Sequence, residues 1–247
     1  MGTRNYANLS SRLLALKGPH LEVETIHSVE GYPMYLVHLR KSHDAPFTIL
    51  LTAGVHGDEP AGVEAVLRFL DSEHAKRLDH FQFCVLPCIN PTGVVENTRE
   101  NRGGIDLNRA FDTDSIPEVL FVKEALNGRK IDCHFDFHED WEARGFYMYE
   151  GAHDGQFFGD EIIDRVKHIG IIDPDDDEDD PPISPGVYPI TLNWGTKGLA
   201  AYILNFHASH TIICETPTSW DMDQRVAAHL TALNTVMAHY LSQLRDV

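Results

Sequence analysis

The tetrapeptide His56-Gly57-Asp58-Glu59 puts an imidazole and two carboxylates directly after the apolar run Ile49-Leu50-Leu51 and the small turn Ala53-Gly54. Imidazole nitrogen and carboxylate oxygen are ready ligands for zinc. A catalytic zinc takes three such ligands and leaves a position for water. His-x-x-Glu in a turn brings both side chains to one ion. Helix capping accounts for the two acids equally well, so the segment needs support from elsewhere in the chain.

Three more polar clusters follow apolar runs. The segment NPTGVVENTRENRGGIDLNRAF (90–111) contains Arg99, Arg102 and Arg109. Arginine suits a carboxylate or a developing oxyanion, although a hydrophilic loop with salt bridges is the plainer reading of Arg102. In IDCHFDFHED (131–140), strand alternation puts Asp132, His134, Asp136 and His138 on one face and Cys133, Phe135 and Phe137 on the other. Burying such a polar face is costly unless its groups bind metal or one another. His138 stands nearest the C-terminal end of the strand, where ligands gather in open α/β sheets, and is preferred to His134 as third ligand. Asp136 is placed to orient an imidazole from behind. In IICETP (212–217), Glu215 ends an apolar strand with no adjacent cation. A general base acting on metal-activated water explains a carboxylate there.

The elements that must carry these clusters alternate. A β-hairpin is expected over 22–40, turning around Gly31-Tyr32-Pro33. Buried strands are expected over 47–55, 81–89, 131–140 and 210–217, and helices over 60–78, 117–129, 157–170 and 224–244. Pro60 fits a first helical turn, and Gly128 and Gly170 fit helix ends. Buried strands alternating with helices imply an α/β fold of three layers, α/β/α, with a mixed, largely parallel central sheet. No repeat or linker divides residues 1–247, so one domain is expected.

Composition narrows the function. The formal charge is −18 and the apolar fraction 43%. So acidic a surface disfavours nucleic acid and anionic membranes as partners. No run approaches the roughly 20 apolar residues of a membrane span, and the N-terminal segment lacks the apolar stretch of a signal peptide. Cys84, Cys88, Cys133 and Cys214 fall in apolar segments, as buried thiols of a reducing compartment do, which points to the cytoplasm. Cys84 and Cys88 lack the second pair of a zinc cysteine motif. The tract DPDDDEDDPP (173–182) reads as a solvated loop. It lacks the spaced pattern of a calcium loop.

In that order, His56-x-x-Glu59, the NP-x-G…TR-x-N-x-x-G-I-DLNR-x-F segment, D-F-H-E and a late strand-end Glu215 resemble the zinc carboxypeptidases. The wider superfamily includes the succinylglutamate desuccinylases and aspartoacylases. The resemblance runs from about Tyr32 to Glu215. It implies one zinc ion per chain held by His56, Glu59 and His138, with water completing the shell. It further implies that Arg99 polarises the scissile carbonyl, that Asn108 and Arg109 hold the substrate's terminal carboxylate, and that Glu215 is the general base. The implied activity is hydrolysis of the C-terminal amide of a peptide-like substrate with a free carboxylate. An N-acyl amino-acid deacylase is the alternative, and a non-catalytic metal-bound module is disfavoured by the presence of Glu215 and Arg99. The chain also departs from the family. Digestive members carry a tyrosine in a loop before the last catalytic strand; here Tyr188 and Tyr202 fall in SPGVYPITLNWGTKGLAAY (184–202), neither in clear register. Lys197, near the expected specificity pocket, would favour an acidic group, although a surface lysine is the plainer reading. The aspartoacylase group usually adds a C-terminal β domain, whereas this sequence ends in a helix soon after Glu215, which favours the peptidase.

Overall fold

The computed structural model describes residues 6–72, 77–174, 181–191 and 194–244; most of the acidic tract, residues 175–180, lies outside them. Among the described residues, eight strands form one mixed sheet. In chain order these are β1 (Leu21–Val29), β2 (Tyr32–Leu39), β3 (Phe47–Ala53), β4 (Phe81–Leu86), β5 (Ile131–Asp140), β6 (Tyr147–Ala152), β7 (Val187–Pro189) and β8 (Ala208–Pro217). They are arranged β1-β2-β4-β3-β5-β8-β6-β7. The four central strands, β4, β3, β5 and β8, are mutually parallel, so their C-terminal ends share one edge.

The helices are α1 (Tyr6–Ala15), α2 (Pro60–Asp71), α3 (Pro91–Glu96), α4 (Pro117–Leu126), α5 (Gly159–Val166), α6 (Leu199–Phe206) and α7 (Met222–Gln243). Two apolar cores sandwich the sheet. On one face α1, α2, α5 and α7 bury residues such as Leu9, Val66, Ile162 and Leu233 against Phe135 and Phe137. On the other, α4 and α6 bury Val122 and Ile203 against Leu50 and Leu86. The expected three-layer α/β/α fold is therefore what forms.

The connections explain where a site can sit. The chain leaves β3 through α2 to reach β4 on one side of it. From β4 it passes through α3 and α4 to reach β5 on the other side. Parallel crossovers are right-handed, so reversing direction sends α2 and α4 to opposite faces. The strand ends splay at this switch between β3 and β5, which is where open α/β sheets bind ligands.

Several boundaries differ from expectation. The hairpin turns at Glu30-Gly31, both with positive φ (51° and 84°), and Tyr32 and Pro33 already belong to β2. Pro33 is tolerated because β4 pairs only with Val37–Leu39, so its missing N–H interrupts no bond on that side. Helix α2 stops at Asp71, where the Ser72 backbone N–H and hydroxyl both donate to the Phe69 carbonyl. The stretch 184–202 is not simply loop: it holds β7 and starts α6. Helices α1, α3 and α6 and strands β6 and β7 were not expected from the sequence pattern. The structure pairs β6 antiparallel to β8, with Tyr147 opposite Glu215 and Tyr149 opposite Ile213.

Candidate active site

At the β3 end, the chain turns through Gly54 (φ 62°) to His56 and then enters α2 at Pro60. Two glycines allow the close approach. A Cβ on Gly57 would lie 1.9 Å from the Gly93 carbonyl carbon, and one on Gly62 would lie 2.7 Å from the Phe137 carbonyl oxygen. The second contact seats the first turn of α2 directly on β5. Buried Asn90 ties the loops: its Oδ1 accepts from the Gly93 N–H, and its amide donates to the carbonyls of Val55 and Arg99.

Glu59 occupies the N-cap position of α2 but makes no capping hydrogen bond. The capping reading of this residue is thereby replaced. Glu139 of β5 does that work instead, its Oε2 accepting from the Ala61 N–H at 2.9 Å while Arg225 of α7 pairs with its other oxygen. Glu59 is left free to turn towards two imidazoles. Its Oε1 lies 2.6 Å from His56 Nδ1 and its Oε2 2.8 Å from His138 Nδ1. All three residues are buried, and one ligand atom from each falls within 4.8 Å of the others.

The far nitrogens are also held by carboxylates. His56 Nε2 meets Asp106 Oδ1 at 3.2 Å, and His138 Nε2 meets Asp136 Oδ2 at 3.1 Å. An imidazole that donates its Nε2–H to a carboxylate presents a lone pair at Nδ1. Two such lone pairs then face the Glu59 oxygens, an acceptor-to-acceptor arrangement that needs a cation between them. In the metal-free chain a proton on His138 meets part of that need. Burial by itself would raise the Glu59 carboxyl, but the His138 charge and hydrogen bonds from both rings hold it below the usual carboxylate range. Burial by itself would lower His138, yet Asp136 and Glu59 hold it well above the usual imidazole range. Two nitrogens and a carboxylate, oriented from behind by acids, are the donor set of a zinc site.

His134 lies apart from this trio. It is fully buried, with Nε2 2.8 Å from the Thr52 hydroxyl, and burial pushes its imidazole down to about 4. Asp132 accepts the Thr48 N–H at the opposite end of β5.

Glu215 stands directly across the strand pair from His138 in the β5–β8 register. Its carboxylate has no hydrogen bond or ion pair among the described residues; Arg99 and Arg109 engage Asp106 and the Asn108 carbonyl instead. Burial raises its carboxyl above the usual range. His138 pulls against this, while Glu59, Asp140 and Asp136 add to it. Arg99 is half-exposed, its Nε 3.1 Å from Asp106 Oδ2 and its Nη1 3.8 Å from Glu59 Oε1. Asn108 and Arg109 lie in a 3-10 turn (Leu107–Arg109) that Asp106 caps by accepting the Asn108 N–H. Asn108 Oδ1 accepts from Leu199 N–H at the start of α6, and Arg109 Nη1 donates to the Asn108 carbonyl. Arg102 pairs with Glu30 and Glu96 outside the cavity, as its plainer reading had it.

These groups open onto one cavity of about 660 Å³, lined by His56, Glu59, Arg99, Asn108, Arg109, His138 and Glu215, among others. Sequence reasoning missed Asp106, the carboxylate joining His56, Arg99 and the 3-10 turn. The Asp-Leu-Asn-Arg run was noticed for its arginine and asparagine. Also missed were Tyr147, Tyr149, Trp141 and Trp194, which line the cavity. Tyr188 packs on Tyr147 and Tyr149 behind the wall, and Tyr202 stacks on Phe111. Lys197 lines the cavity but is well exposed, 3.6 Å from Asp112. The four cysteines are buried free thiols.

A family model for the succinylglutamate desuccinylase/aspartoacylase catalytic domain matches residues 46–170. That span contains the three candidate ligands, Arg99, Asn108 and Arg109, and stops short of Glu215. Human cytosolic carboxypeptidase 2 is 29% identical over 170 residues, 58% of this chain and 19% of that protein. The Xenopus tropicalis protein of the same name is 36% identical over 115 residues, 41% of this chain and 12% of that protein. The chain thus spans about a fifth or less of the length of these curated relatives. A Shewanella denitrificans protein solved as a proposed metallopeptidase superposes with a TM-score of 0.78, covering 95% of this chain and 88% of that one at 25% identity. A Burkholderia cenocepacia metallo-carboxypeptidase shares the fold at 20% identity, with a TM-score of 0.72 over 99% of this chain and 70% of that one. With more than half of its length matched by the family model, and with this sheet order, the chain belongs to the succinylglutamate desuccinylase/aspartoacylase catalytic-domain family and has the metallo-carboxypeptidase fold.

Proposed function

We propose that the protein is a zinc-dependent carboxypeptidase-like hydrolase. It cleaves the amide bond that joins an acyl group to a leaving amino acid bearing a free carboxylate. The observation that carries this reading is an unpaired, partly buried Glu215 placed across the strand pair from a buried His-Glu-His trio. His56, Glu59 and His138 would hold the ion, which when bound supplies Lewis-acid activation of water and carbonyl. Asp106 and Asp136 fix the two rings. Glu215 takes the proton of the attacking water and returns it to the leaving nitrogen; its raised affinity for protons suits both halves of that transfer. Arg99, steadied by Asp106, donates to the oxygen that becomes negative as the carbonyl carbon turns tetrahedral. Asn108 and Arg109 offer donors to the carboxylate of the leaving amino acid, and arginine's planar fork matches both of its oxygens. Buried free thiols and the cytosolic carboxypeptidase relatives support a cytoplasmic location.

A second reading, an N-acyl amino-acid deacylase, is favoured by the matched family model. It uses the same ion, base and carboxylate grip. A panel of peptides and acyl amino acids, assayed with and without chelator, separates the two by which acyl groups are released. In the same assay Glu215→Gln should retain metal and fold while kcat falls on the order of 10²-fold or more. A metal-replete variant with near-normal turnover would end the proposal.

A further inference from the structure

The C-terminal ends of the parallel strands carry the candidate active site. Their other ends border a second cavity, of about 210 Å³, lined by His38, Arg40, Thr48, Gln82, Arg129 and Lys130 among others. The register explains the gathering. Strand β2 runs antiparallel to β4, so its last residues, with His38 opposite Cys84, reach the edge where β4 begins. Thr48, near the start of β3, pairs with Gln82 of β4, and Arg129 and Lys130 immediately precede β5.

Cations are concentrated here in a chain with 20 basic and 38 acidic residues. Arg129 and Lys130 have no carboxylate partner among the described residues. Neutral groups hold Arg129 in place: its Nε donates to the Ala125 carbonyl at 2.7 Å and its Nη2 to His38 Nε2 at 3.4 Å. Its Nη1 has no acceptor among the described residues. Two acids stand at the margin. Glu22 pairs with Arg40 at 3.0 Å, and Glu24 lies 3.9 Å from His38 Nε2. Their side chains are 56% and 43% exposed, so water and salt screen them.

Two buried groups of the cavity register the balance. Burial first, then Arg129, Arg40 and His43, lower the His38 imidazole to about 4, so it is neutral. Burial raises the Cys84 thiol to about 11, with Arg129 and Arg40 pulling against it. Both groups feel a positive field. A neutral donor is also at hand. Gln82 Nε2 donates to the Thr48 hydroxyl oxygen at 3.0 Å, which leaves the Thr48 hydroxyl hydrogen to be given away. The cavity is smaller than the roughly 300–1,000 Å³ of a site for a drug-sized molecule and ample for a tetrahedral oxyanion.

We propose that this cavity binds a phosphate-type dianion, either free phosphate or the phosphate of a monoester, through Arg129, Lys130 and Arg40 with the Thr48 hydroxyl as a neutral donor. Two guanidiniums and an ammonium match a doubly charged oxyanion better than a single carboxylate. The site stands apart from the hydrolase reading, because it occupies the opposite end of the strands.

The test titrates inorganic phosphate and glycerol 3-phosphate into the zinc-loaded full chain by calorimetry, with ionic strength held constant by sodium chloride. Phosphate should bind saturably. Arg129→Gln and Lys130→Gln should each weaken it by about tenfold, the usual loss when a charged hydrogen bond is removed. Arg109→Gln, in the candidate active site, and removal of zinc by chelator should each leave this binding within about twofold. Arg129 also ties down the end of α4, so a melting curve checks the fold of its variant. Lys130 is exposed and its side chain makes no hydrogen bond among the described residues, so Lys130→Gln carries the test if Arg129→Gln is unstable. Displacement of phosphate by glycerol 3-phosphate assigns a monoester as ligand, and failure to displace it assigns the free ion. No saturable binding of either compound, binding unchanged in Arg129→Gln and Lys130→Gln, or binding lost in Arg109→Gln or with the zinc overturns the assignment.

Discussion

Asp106→Asn tests the most connected contact in the site. One carboxylate holds His56 Nε2 at 3.2 Å, Arg99 Nε at 3.1 Å and the Asn108 N–H at 2.9 Å. Burial by itself would raise its carboxyl; the hydrogen bond and charge of His56, with Arg99, outweigh this and hold it far below the usual carboxylate range, so it stays ionised at any working pH. Asparagine has nearly the same shape. Its Oδ1 can still accept from Asn108, but its NH2 then meets the Arg99 Nε–H, donor against donor, and the charge behind His56 is gone. Loss of such an orienting partner costs roughly 10–100-fold in metal affinity, or about 1.4–2.7 kcal/mol. The lost bond to Arg99 is worth less than the usual ~1.5–3 kcal/mol for a charged hydrogen bond, because that guanidinium is half in water. Competition with a chromophoric chelator should therefore show zinc bound at least about tenfold more weakly. At saturating zinc kcat/KM should still fall by about tenfold as Arg99 loosens. Asp136→Asn, behind the other ring, should weaken zinc similarly without the second effect. If Asp106→Asn binds zinc as tightly as wild type and turns over normally, the orienting argument is wrong.

Other outcomes follow from the same geometry. Arg109→Lys exchanges a planar fork for a point charge and should raise KM by about tenfold with kcat little changed; an unchanged KM on carboxylate-bearing substrates would place the grip elsewhere. Gly62→Ala drives a Cβ against the Phe137 carbonyl, a backbone atom that cannot turn aside. It should cost about 1–3 kcal/mol of stability, read by chemical denaturation, and weaken zinc binding because Glu59 rides on the same turn. Burial lowers His38 and His134 to about 4 and His229 to about 3, from an ordinary 6.5. Between pH 6.5 and 4 the unfolded chain therefore binds more protons than the folded one, and stability should fall as pH drops through that window; a melting temperature flat from pH 7 to 4.5 contradicts this. Above 6.5 the metal-free protein should lose stability again, now because His138 is held well above its ordinary range and gives up a proton that favours the fold. Saturating zinc, which takes the place of that proton, should remove the alkaline limb.

The residues that define the chemistry were legible because their signals are local. A strand's period of two put His138 and Asp136 on one face and Phe135 and Phe137 on the other, and in the fold the phenylalanines enter one core while the polar face meets Thr52 and Glu59. The switch from apolar run to Pro60 marked the start of α2 to the residue. The strand-end position of Glu215 needed only the apolar stretch before it. Short elements were not legible: three-residue β7, six-residue α3 and eight-residue α6 are too brief for a period to emerge. Strand β6 begins at Tyr147, seven residues after β5 ends at Asp140, and takes its place in the sheet from its pairing with β8.

The sequence by itself determined the inventory: which donors exist, which face each strand offers, and the order of the four clusters along the chain. The tertiary structure decided the partnerships. Glu59 could equally have capped its own helix; it is released because Glu139, eighty residues later, caps it instead. Whether His134 or His138 approached His56 depended on the β3–β5 register, which pairs Ala53 with Phe137 and carries His138 one residue beyond the last pair. Asp106 became the hinge of the site only when its loop folded back on both His56 and Arg99. Backbone periodicity sets the direction of a side chain within a few residues. The distance between side chains fifty or eighty positions apart is set by strand register and by how closely helix and sheet pack, here through Gly57 and Gly62, and neither can be read from spacing along the chain.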